Sequence, residues 1–367
     1  MVNIAFRMLR NDFIKSFITI IGIGIILMLI LFLNGIYEGV KTGVTGYVKN
    51  SPAEIWICQK NSTNLIRSSS FLSSTLQDSL YKFNDVKKAE GILRAMITCE
   101  INKKNISLLM IGLQSDADLS LPKVYRGKPL PGVNEIVLDK PFALKYNLQI
   151  NDSLKIQGVY YRIVGISVET NAAVVNFCFL NMKNAYDLIG FQGISSFYLI
   201  TSIPGKDDSL LNILKSKFYN LNIYSKKEFI QNHIEEIKTG FLPVLWTIAF
   251  LGFSAGIVLI TLMFYSTILE RREDYALLKA LGMSFRKIMM LILPQTIIVS
   301  VCGYLFGVIF YLIFSPILMY YVPEINLQLI PAFLILLLFA SIIFGCAGSI
   351  ISIREVYHIY PAEVFRA

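Results

Sequence analysis

The stretch Glu270-Arg271-Arg272-Glu273-Asp274-Tyr275-Ala276-Leu277-Leu278-Lys279-Ala280-Leu281-Gly282 decides how this chain is read. It is a short charged segment between two long uncharged ones. Glu270, Glu273 and Asp274 lie near its start, where a helix N-terminus favours negative charge, and Lys279 lies near its end. Ala276, Leu277, Ala280 and Leu281 fall on one narrow apolar stripe, a shape suited to a groove on a partner. Gly282 is placed to stop the helix and Ser284 to cap the next one. The same residues also fit a solvated loop helix whose charges only enforce topology.

Composition sets the class. Apolar residues make up 54% of the chain and charged residues only 16%, against about 25% charged in a soluble domain. Three stretches lack Asp, Glu, Lys and Arg and reach the about 20 residues that a bilayer crossing needs. They cover 16–37, 239–269 and a tract over 288–353 that only Glu324 interrupts, in a segment flanked by Pro316, Pro323 and Pro331. That tract is too long for one helix and reads as two with a short loop. The chain then divides into an N-terminal helix at 1–15, a first span at 16–37 and an outer region at 38–238. A second span at 239–269, the charged coupling segment at 270–287 and a third span at 288–314 follow. A loop at 315–329, a fourth span at 330–353 and a tail at 354–367 complete it. The expected fold class is an α-helical four-span bundle with a large extracytoplasmic α+β domain inserted between spans 1 and 2.

Basic residues orient it. Arg7, Arg10 and Lys15 precede the first span, and Arg271, Arg272, Lys279, Arg286 and Lys287 sit between the second and third. Arg354 and Arg366 follow the fourth, and the loop around Glu324 has neither Lys nor Arg. Short cytoplasmic loops carry the excess of Lys and Arg, so both termini and the charged segment are expected in the cytoplasm and the outer region across the membrane. The net charge of +9 is mostly this bias, and no basic run interleaved with aromatics suggests a nucleic acid. The basic lead fits a signal peptide, but the apolar run is too long and Leu33-Asn34-Gly35-Ile36-Tyr37 offers no cleavage site, so an uncleaved anchor is expected. Cys58, Cys99 and Cys178 fall outside and Cys302 and Cys346 within spans, with no CxxC pair, so no metal site or disulfide framework is implied. Free buried thiols are the reading taken, with one external pair as the alternative.

The outer region reads as a mixed domain. Residues 59–75 form a Ser-rich loop, and Leu76, Leu80 and Phe83 recur at helical spacing. Strands are expected at 92–101 and 106–113, turning at Asn102-Lys103-Lys104-Asn105. Residues 136–138 make a short strand, after which Asp139-Lys140-Pro141 opens a helix with Asp as cap and Pro in the first turn. A second hairpin runs over 154–157 and 160–168 through Gly158, then a β-rich run over 173–180 and helices near 182–189 and 208–219. Ser225-Lys226-Lys227-Glu228 is a capping box. After it Phe229, Ile230, His233, Ile234 and Ile237 recur at helical spacing, with no breaker until Gly240 and Pro243. The second span is thus expected to project outward as a stalk, and 37–47 to extend the first span likewise; a plain linker helix is the alternative.

Within the spans, small residues recur at four-residue spacing: Gly252 with Gly256, Gly303 with Gly307, and Ser341 with Gly345 and Ser349. Such spacing lets helices approach closely, most simply within one chain. No charged residue in the spans marks an ion path. There is no Gly-x-x-x-x-Gly-Lys-Ser/Thr, so the chain is not expected to hydrolyse nucleotide itself. His233 and His358 are the two histidines and fall on opposite sides of the membrane, which leaves no paired site for metal or acid–base work. Asp116 with Asp118, and Asp207 with Asp208, read as surface turns.

These pieces together resemble the four-span permeases of the macrolide-exporter (MacB), lipoprotein-release (LolC/LolE), FtsX and heterocyst-exporter (DevC) class of ABC transporters. The coupling segment carries the resemblance, with Glu270-Arg271-Arg272-Glu273 and Leu278-Lys279-Ala280-Leu281-Gly282. So does the core, with Glu135-Ile136-Val137-Leu138, Ala143, Tyr146-Asn147-Leu148, Asn151-Asp152-Ser153-Leu154 and Arg162-Ile163-Val164-Gly165-Ile166. The tail adds Arg354-Glu355 and Pro361-Ala362-Glu363-Val364-Phe365-Arg366. Ala53-Glu54-Ile55-Trp56-Ile57 and Ser68-Ser69-Ser70-Phe71-Leu72 lean toward the DevC-like branch, while Ile150-Asn151-Asp152 stands where that family usually has Gly-Asp. The resemblance implies a non-catalytic permease of the bacterial inner membrane. Its implied partners are an ABC ATPase subunit dimer, a second permease (the same chain or a sister) and a periplasmic adaptor or membrane-fusion protein. ATP and Mg would belong to the ATPase, with no cofactor on this chain. It also implies that motion is relayed to the outer domain for export or extraction of an amphipathic lipid, glycolipid, lipoprotein or peptide. The alternative is an FtsX-like transducer that activates an external partner without a substrate; a receptor without an ATPase is weaker.

Overall fold

The structure, a computed structural model, describes residues 13–67, 69–101, 103–171, 175–270, 273, 277 and 281–357. They form two units. One holds Tyr37–Phe241 with Leu318–Asn326; the other holds Leu242–Ile317 together with 13–36 and 327–357.

Helix α1 spans Phe13–Asn50 and is followed by β1 (Ile55–Gln59), β2 (Leu72–Ser73) and a short α2 (Leu76–Leu80). Strands β3 (Val86–Ile101) and β4 (Lys104–Leu113) form a long hairpin whose pairing reaches Ile101 with Lys104, so the turn is tighter than the sequence suggests. Then come β5 (Val124–Gly127), β6 (Glu135–Asp139), α3 (Lys140–Lys145), β7 (Ser153–Ile156) and β8 (Val159–Ser167). Strand β9 (Asn176–Asn181), α4 (Met182–Ile189), β10 (Ile194–Ser195), β11 (Phe197–Ser202), α5 (Asp207–Lys217) and β12 (Leu221–Ser225) complete the domain. Helices α6 (Lys226–Glu270), α7 (Phe285–Tyr321) and α8 (Pro331–Tyr357) follow.

Local chemistry explains several boundaries. Asp139 caps α3 through its carboxylate, which accepts from Phe142 N at 3.1 Å, with Pro141 in the first turn. The β7–β8 turn has φ of 47° at Gln157 and 89° at Gly158; two positive values match the twist of the flanking strands and favour glycine at the second position. Ser225 and Glu228 form the capping box reciprocally, Ser225 N to Glu228 Oε2 at 2.8 Å and Glu228 N to Ser225 Oγ at 3.2 Å.

Among the described residues the main sheet has ten strands, and its pairings close on themselves. From β3 they run through β4, β9, β6, β8 and β7 back to β3, a ring of six strands. Strands β11, β1 and β12 continue outward from β3 as a wing. Alternation along each ring strand gives two apolar layers. Leu108, Met110, Ile136, Leu138, Cys178 and Leu180 share one with Phe142 of α3 and Ala185 of α4. Leu109, Ile111, Val137, Phe177 and Phe179 share the other with Val44, Tyr47 and Val48 of α1 and Phe229 of α6. The second layer is the one that α1 and α6 cover. A third cluster joins Ile55, Ile57, Tyr198 and Ile200 of the wing to Leu210, Leu211 and Leu214 of α5.

Among the described residues four helices are long and apolar enough to cross a membrane: Phe13–Asn50, Leu242–Glu270, Ile292–Tyr321 and Pro331–Ser352. Helix α1 has 38 residues and α6 has 45, about 57 and 68 Å at 1.5 Å per residue. Both exceed the about 30 Å of a hydrocarbon core. Helix α6 runs through Gly240 and Pro243 without a break. The loop expected at 315–329 is shorter: α7 continues through Pro316 to Tyr321, so the connection to α8 covers only 322–330. A proline is tolerated inside a membrane helix where neighbouring groups or a local adjustment of the turn satisfy the backbone carbonyl it frees.

Candidate functional site

The coupling segment is described at Glu270, Glu273, Leu277 and from Leu281 onward. Leu281 N donates to Leu277 O at 3.0 Å, so the two leucines sit one turn apart on one face. Both are exposed, Leu277 at 50% and Leu281 at 76%, an apolar stripe with no cover in the chain's described residues. Gly282 then takes φ +82°, a left-handed conformation that ends the turn, and Lys287 N to Ser284 O at 2.9 Å opens α7. Glu270 pairs with Lys15, tying the end of α6 to the start of α1. Arg271, Arg272, Ala276, Leu278, Lys279 and Ala280 lie outside the described residues, as do the tail residues 358–367 with His358.

The stalk residues are brought to the layer of the core domain that α1 also covers. Phe229 is fully buried, stacked on Trp56 with ring centroids 4.9 Å apart and flanked by Phe197, Tyr224 and His233. Ile230 and Ile237 pack against the same cluster, while Ile234 is half-buried beside it. His233 is packed rather than solvated. Its Nε2 accepts from Leu65 N at 3.0 Å and its Nδ1 lies 2.7 Å from Phe229 O. Burial pushes its pKa down to about 4, so the ring is neutral at physiological pH.

The end of α1 is fastened as firmly. Tyr47 donates its hydroxyl to Ser120 O at 2.8 Å, Ser51 Oγ donates to Leu119 O at 2.6 Å, and Lys226 Nζ reaches Ser51 O at 2.6 Å. Burial, with Glu90 nearby, raises the Tyr47 pKa well above its usual range, so this phenol stays a donor. None of Tyr47, Trp56, Glu90 or Arg94 stands out in the sequence as a site residue. The side chains of Tyr47, Glu90 and Arg94 reach hydrogen-bond partners from 28 positions away, for Arg94 with Ile66 and Glu90 with Asp118, to 73, for Tyr47 with Ser120, and no local spacing signals them.

The helix-packing residues meet neighbours inside their own unit. A Cβ on Gly307 would lie 2.8 Å from Gly24 O, one on Gly303 2.8 Å from Ile23 Cγ2, and one on Gly252 3.1 Å from Ile26 Cγ2. Gly256 is looser, with Ile26 at 4.0 Å, and a Cβ on Gly345 would overlap Ser300 Oγ. Ser341 and Ser349 donate back into their own helix, to Leu338 O at 2.8 Å and Cys346 O at 3.0 Å. The small residues therefore let backbones touch along α1–α7, while Gly252 of α6 meets an α1 side chain and Gly345 of α8 meets Ser300 of α7.

Elsewhere the titratable groups are spent on structure. Cys58, Cys99 and Cys178 are free and buried; burial raises Cys58 to about 12 and Cys99 to about 11, so neither is a ready nucleophile. Asp139 is pushed up to about 8 by burial, against the N–H groups of Phe142 and Phe177. Asp207 begins α5 and accepts from Ser202. Among the described residues no group of His, Cys, Asp and Glu is arranged to hold a metal ion.

Residues 16–208 match the family model for the MacB-like periplasmic core domain, more than half of the chain. The chain belongs to the MacB/FtsX family of ABC transporter permeases. Residues 246–361 match the FtsX-like permease C-terminal model, which covers the coupling segment and the last two spans. A protein of Staphylococcus haemolyticus named as a hemin transport system permease, HrtB, is 24% identical over 365 residues, 98% of this chain and 96% of that one. Two solved structures are similar to the core domain: the periplasmic region of MacB from Actinobacillus actinomycetemcomitans and the extracellular domain of the noncanonic ABC-type transporter YknZ from Gram-positive bacteria. The first is 13% identical, covering 49% of this chain and 92% of its own at TM-score 0.39. The second is 12% identical, covering 47% and 98% at TM-score 0.35. The family is that of membrane-embedded permeases whose partner is an ATPase; the matches do not choose among its branches.

Proposed function

We propose that this permease passes ATP-driven motion from a separate ATPase pair, bound at 270–287, along α1 and α6 to the core domain, and so exports or extracts an amphipathic molecule. The observation that carries this reading is the continuity of α1 and α6. Each is one uninterrupted helix whose apolar span leads into a segment buried in the core domain, at Tyr47 and Val48 in one and Phe229 in the other. Both helices continue past the membrane edge without a loop, with Pro243 in α6 as a place where the path can kink, so they suit the transfer of tilt better than a loop would. Support for the docking site comes from Leu277 and Leu281, exposed and one turn apart. The basic residues around that segment favour a cytoplasmic position for it and for both termini. A second permease copy or sister completes the complex, ATP and Mg reside in the ATPase, and an adaptor would continue the path outside.

The absence of charged residues inside the spans supports an amphipathic substrate over a polar solute. Hemin, which the relative from Staphylococcus haemolyticus is named for, is a flat apolar macrocycle with two carboxylates and falls in this class. The test is Leu277→Asp with Leu281→Asp in the permease–ATPase complex, followed by co-purification and by ATP-dependent hemin accumulation in inverted vesicles. The doubly substituted permease should insert normally, lose its ATPase and lose transport. Normal ATPase binding by that variant would remove the docking assignment.

A further inference from the structure

Strand β3 carries two side chains of opposite charge on the layer that faces α1 and α6, Glu90 and Arg94, with Ile92 between them in the same layer. Both end on loops. Glu90 is 1% exposed and accepts from the backbone N–H groups of Asp118 at 2.8 Å, Leu119 at 2.9 Å and Ser120 at 3.2 Å, and from the Ser120 hydroxyl. The carbonyls of that loop accept from α1: Leu119 O from Ser51 and Ser120 O from Tyr47. Arg94 grips its loop by the opposite groups. Its Nε donates to Leu65 O at 3.0 Å and its guanidinium also reaches Ile66 O, while Leu65 N donates to His233 of α6.

The two halves are complementary. The acid holds N–H groups and leaves carbonyls for α1; the base holds carbonyls and leaves an N–H for α6. A buried charge is costly unless it is matched by hydrogen bonds, and apolar side chains would fill this layer at less cost. What charge adds is a directional hold on backbone groups, which packing alone does not supply. We propose that β3 is a yoke, with Glu90 and Arg94 as positioning residues that hold the two loops gripping α1 and α6, so that both helices move together with the core domain. This rests on the relay reading above and deepens it.

The experiment is hydrogen exchange on the full permease–ATPase complex in nanodiscs, with ADP and with a non-hydrolysed ATP analogue. In Glu90→Gln, exchange over 116–121 and the last turns of α1 should rise about tenfold while 62–67 stays protected; Arg94→Gln should show the reverse. In the double variant the nucleotide-dependent change in the core-domain peptides should disappear while ATP hydrolysis continues, and Arg94→Lys should recover part of it. Tyr47→Phe with Ser51→Ala removes only the helix-side bonds and should also weaken the response, which guards against misfolding of the Glu90 variant. Unchanged exchange at both loops, or a full nucleotide response in the double variant, overturns the yoke alone. No nucleotide response in the wild-type complex overturns the relay itself, and the yoke with it.

Discussion

In the core domain, Trp56, Phe177, Phe179 and Phe229 fill one layer with large side chains; Tyr47 and His233 among them are hydrogen-bonded, while the buried Trp56 Nε1 has no partner among the described residues. In the bundle of spans α1 and α7 pack large side chains such as Phe32 and Tyr311, but their backbones meet at Gly24, Gly303 and Gly307, residues with almost nothing to bury. The difference follows from solvent. Burial of apolar area drives the domain, at about 25 cal/mol per Å², but the spans are surrounded by lipid as apolar as themselves, so close backbone approach and packing must serve instead. Volume matters in both regions, with opposite sign: the domain suffers from what is removed, the bundle from what is added.

Trp56→Ala should give the largest effect. It empties a site with 0% exposure and removes the stacking partner of Phe229, at a cost of about 3–5 kcal/mol. Loss of the folded permease in thermal scans and early exchange over 229–237 would show it. If the variant is as stable as wild type, the stalk is not anchored through this layer.

His233 gives a comparable effect that depends on pH. Its folded pKa of about 4 lies below the ordinary 6.5, so the unfolded chain takes a proton first as pH falls. The contribution is fully present above about pH 6.5 and is lost as pH drops toward 4, about 3 kcal/mol over that window. His233→Gln, which can still accept from Leu65 N but does not titrate, should flatten the melting temperature between pH 6.5 and 4 relative to wild type. An unchanged slope would mean that the ring is not held neutral by burial.

Addition tests the bundle. Gly307→Ala places a methyl 2.8 Å from Gly24 O, and backbone cannot yield as a side-chain end can, so a cost of about 1–3 kcal/mol is expected. Gly256→Ala, with its nearest neighbour at 4.0 Å, should be close to neutral. Equal effects at the two glycines would break the comparison between regions.

How much of this is readable in advance differs along the same line. The spans, the capping box at Ser225 and Glu228, the Asp139 cap and the Gly158 turn are set by neighbours within a few residues, and the sequence displays them. Strands β1, β5, β11 and β12 are not visible in that way. Strands β1 and β11 take their pairing from partners about 140 positions apart, Trp56 with Leu199 for instance, and no local alternation marks them out. Pro316 misleads because the rule that proline ends a helix belongs to water, and α7 continues five residues beyond it. Glu90 and Arg94 look like ordinary charges on an alternating strand until the loops they hold are placed.

The smallest effect concerns the end of α7 and the start of its connection to α8, where Leu318–Asn326 belong to the core-domain unit. Lys145 donates to both oxygens of Glu324 at 2.8 Å, and Asn176 Nδ2 lies 3.4 Å from the same carboxylate. Geometry alone suggests a strong tie. Exposure argues otherwise: the Lys145 side chain is 40% exposed and Glu324 19%, so water screens much of the attraction and the pair is worth at most about 1 kcal/mol. Packing at Gly39 is the stronger constraint, because a methyl there would overlap the Asn326 carbonyl. Lys145→Ala should therefore lower the melting temperature only slightly, and less in high salt, whereas Gly39→Ala should cost more and be insensitive to salt. If the order reverses, charge rather than close backbone contact holds this connection, and the rule inferred for the spans does not extend to it.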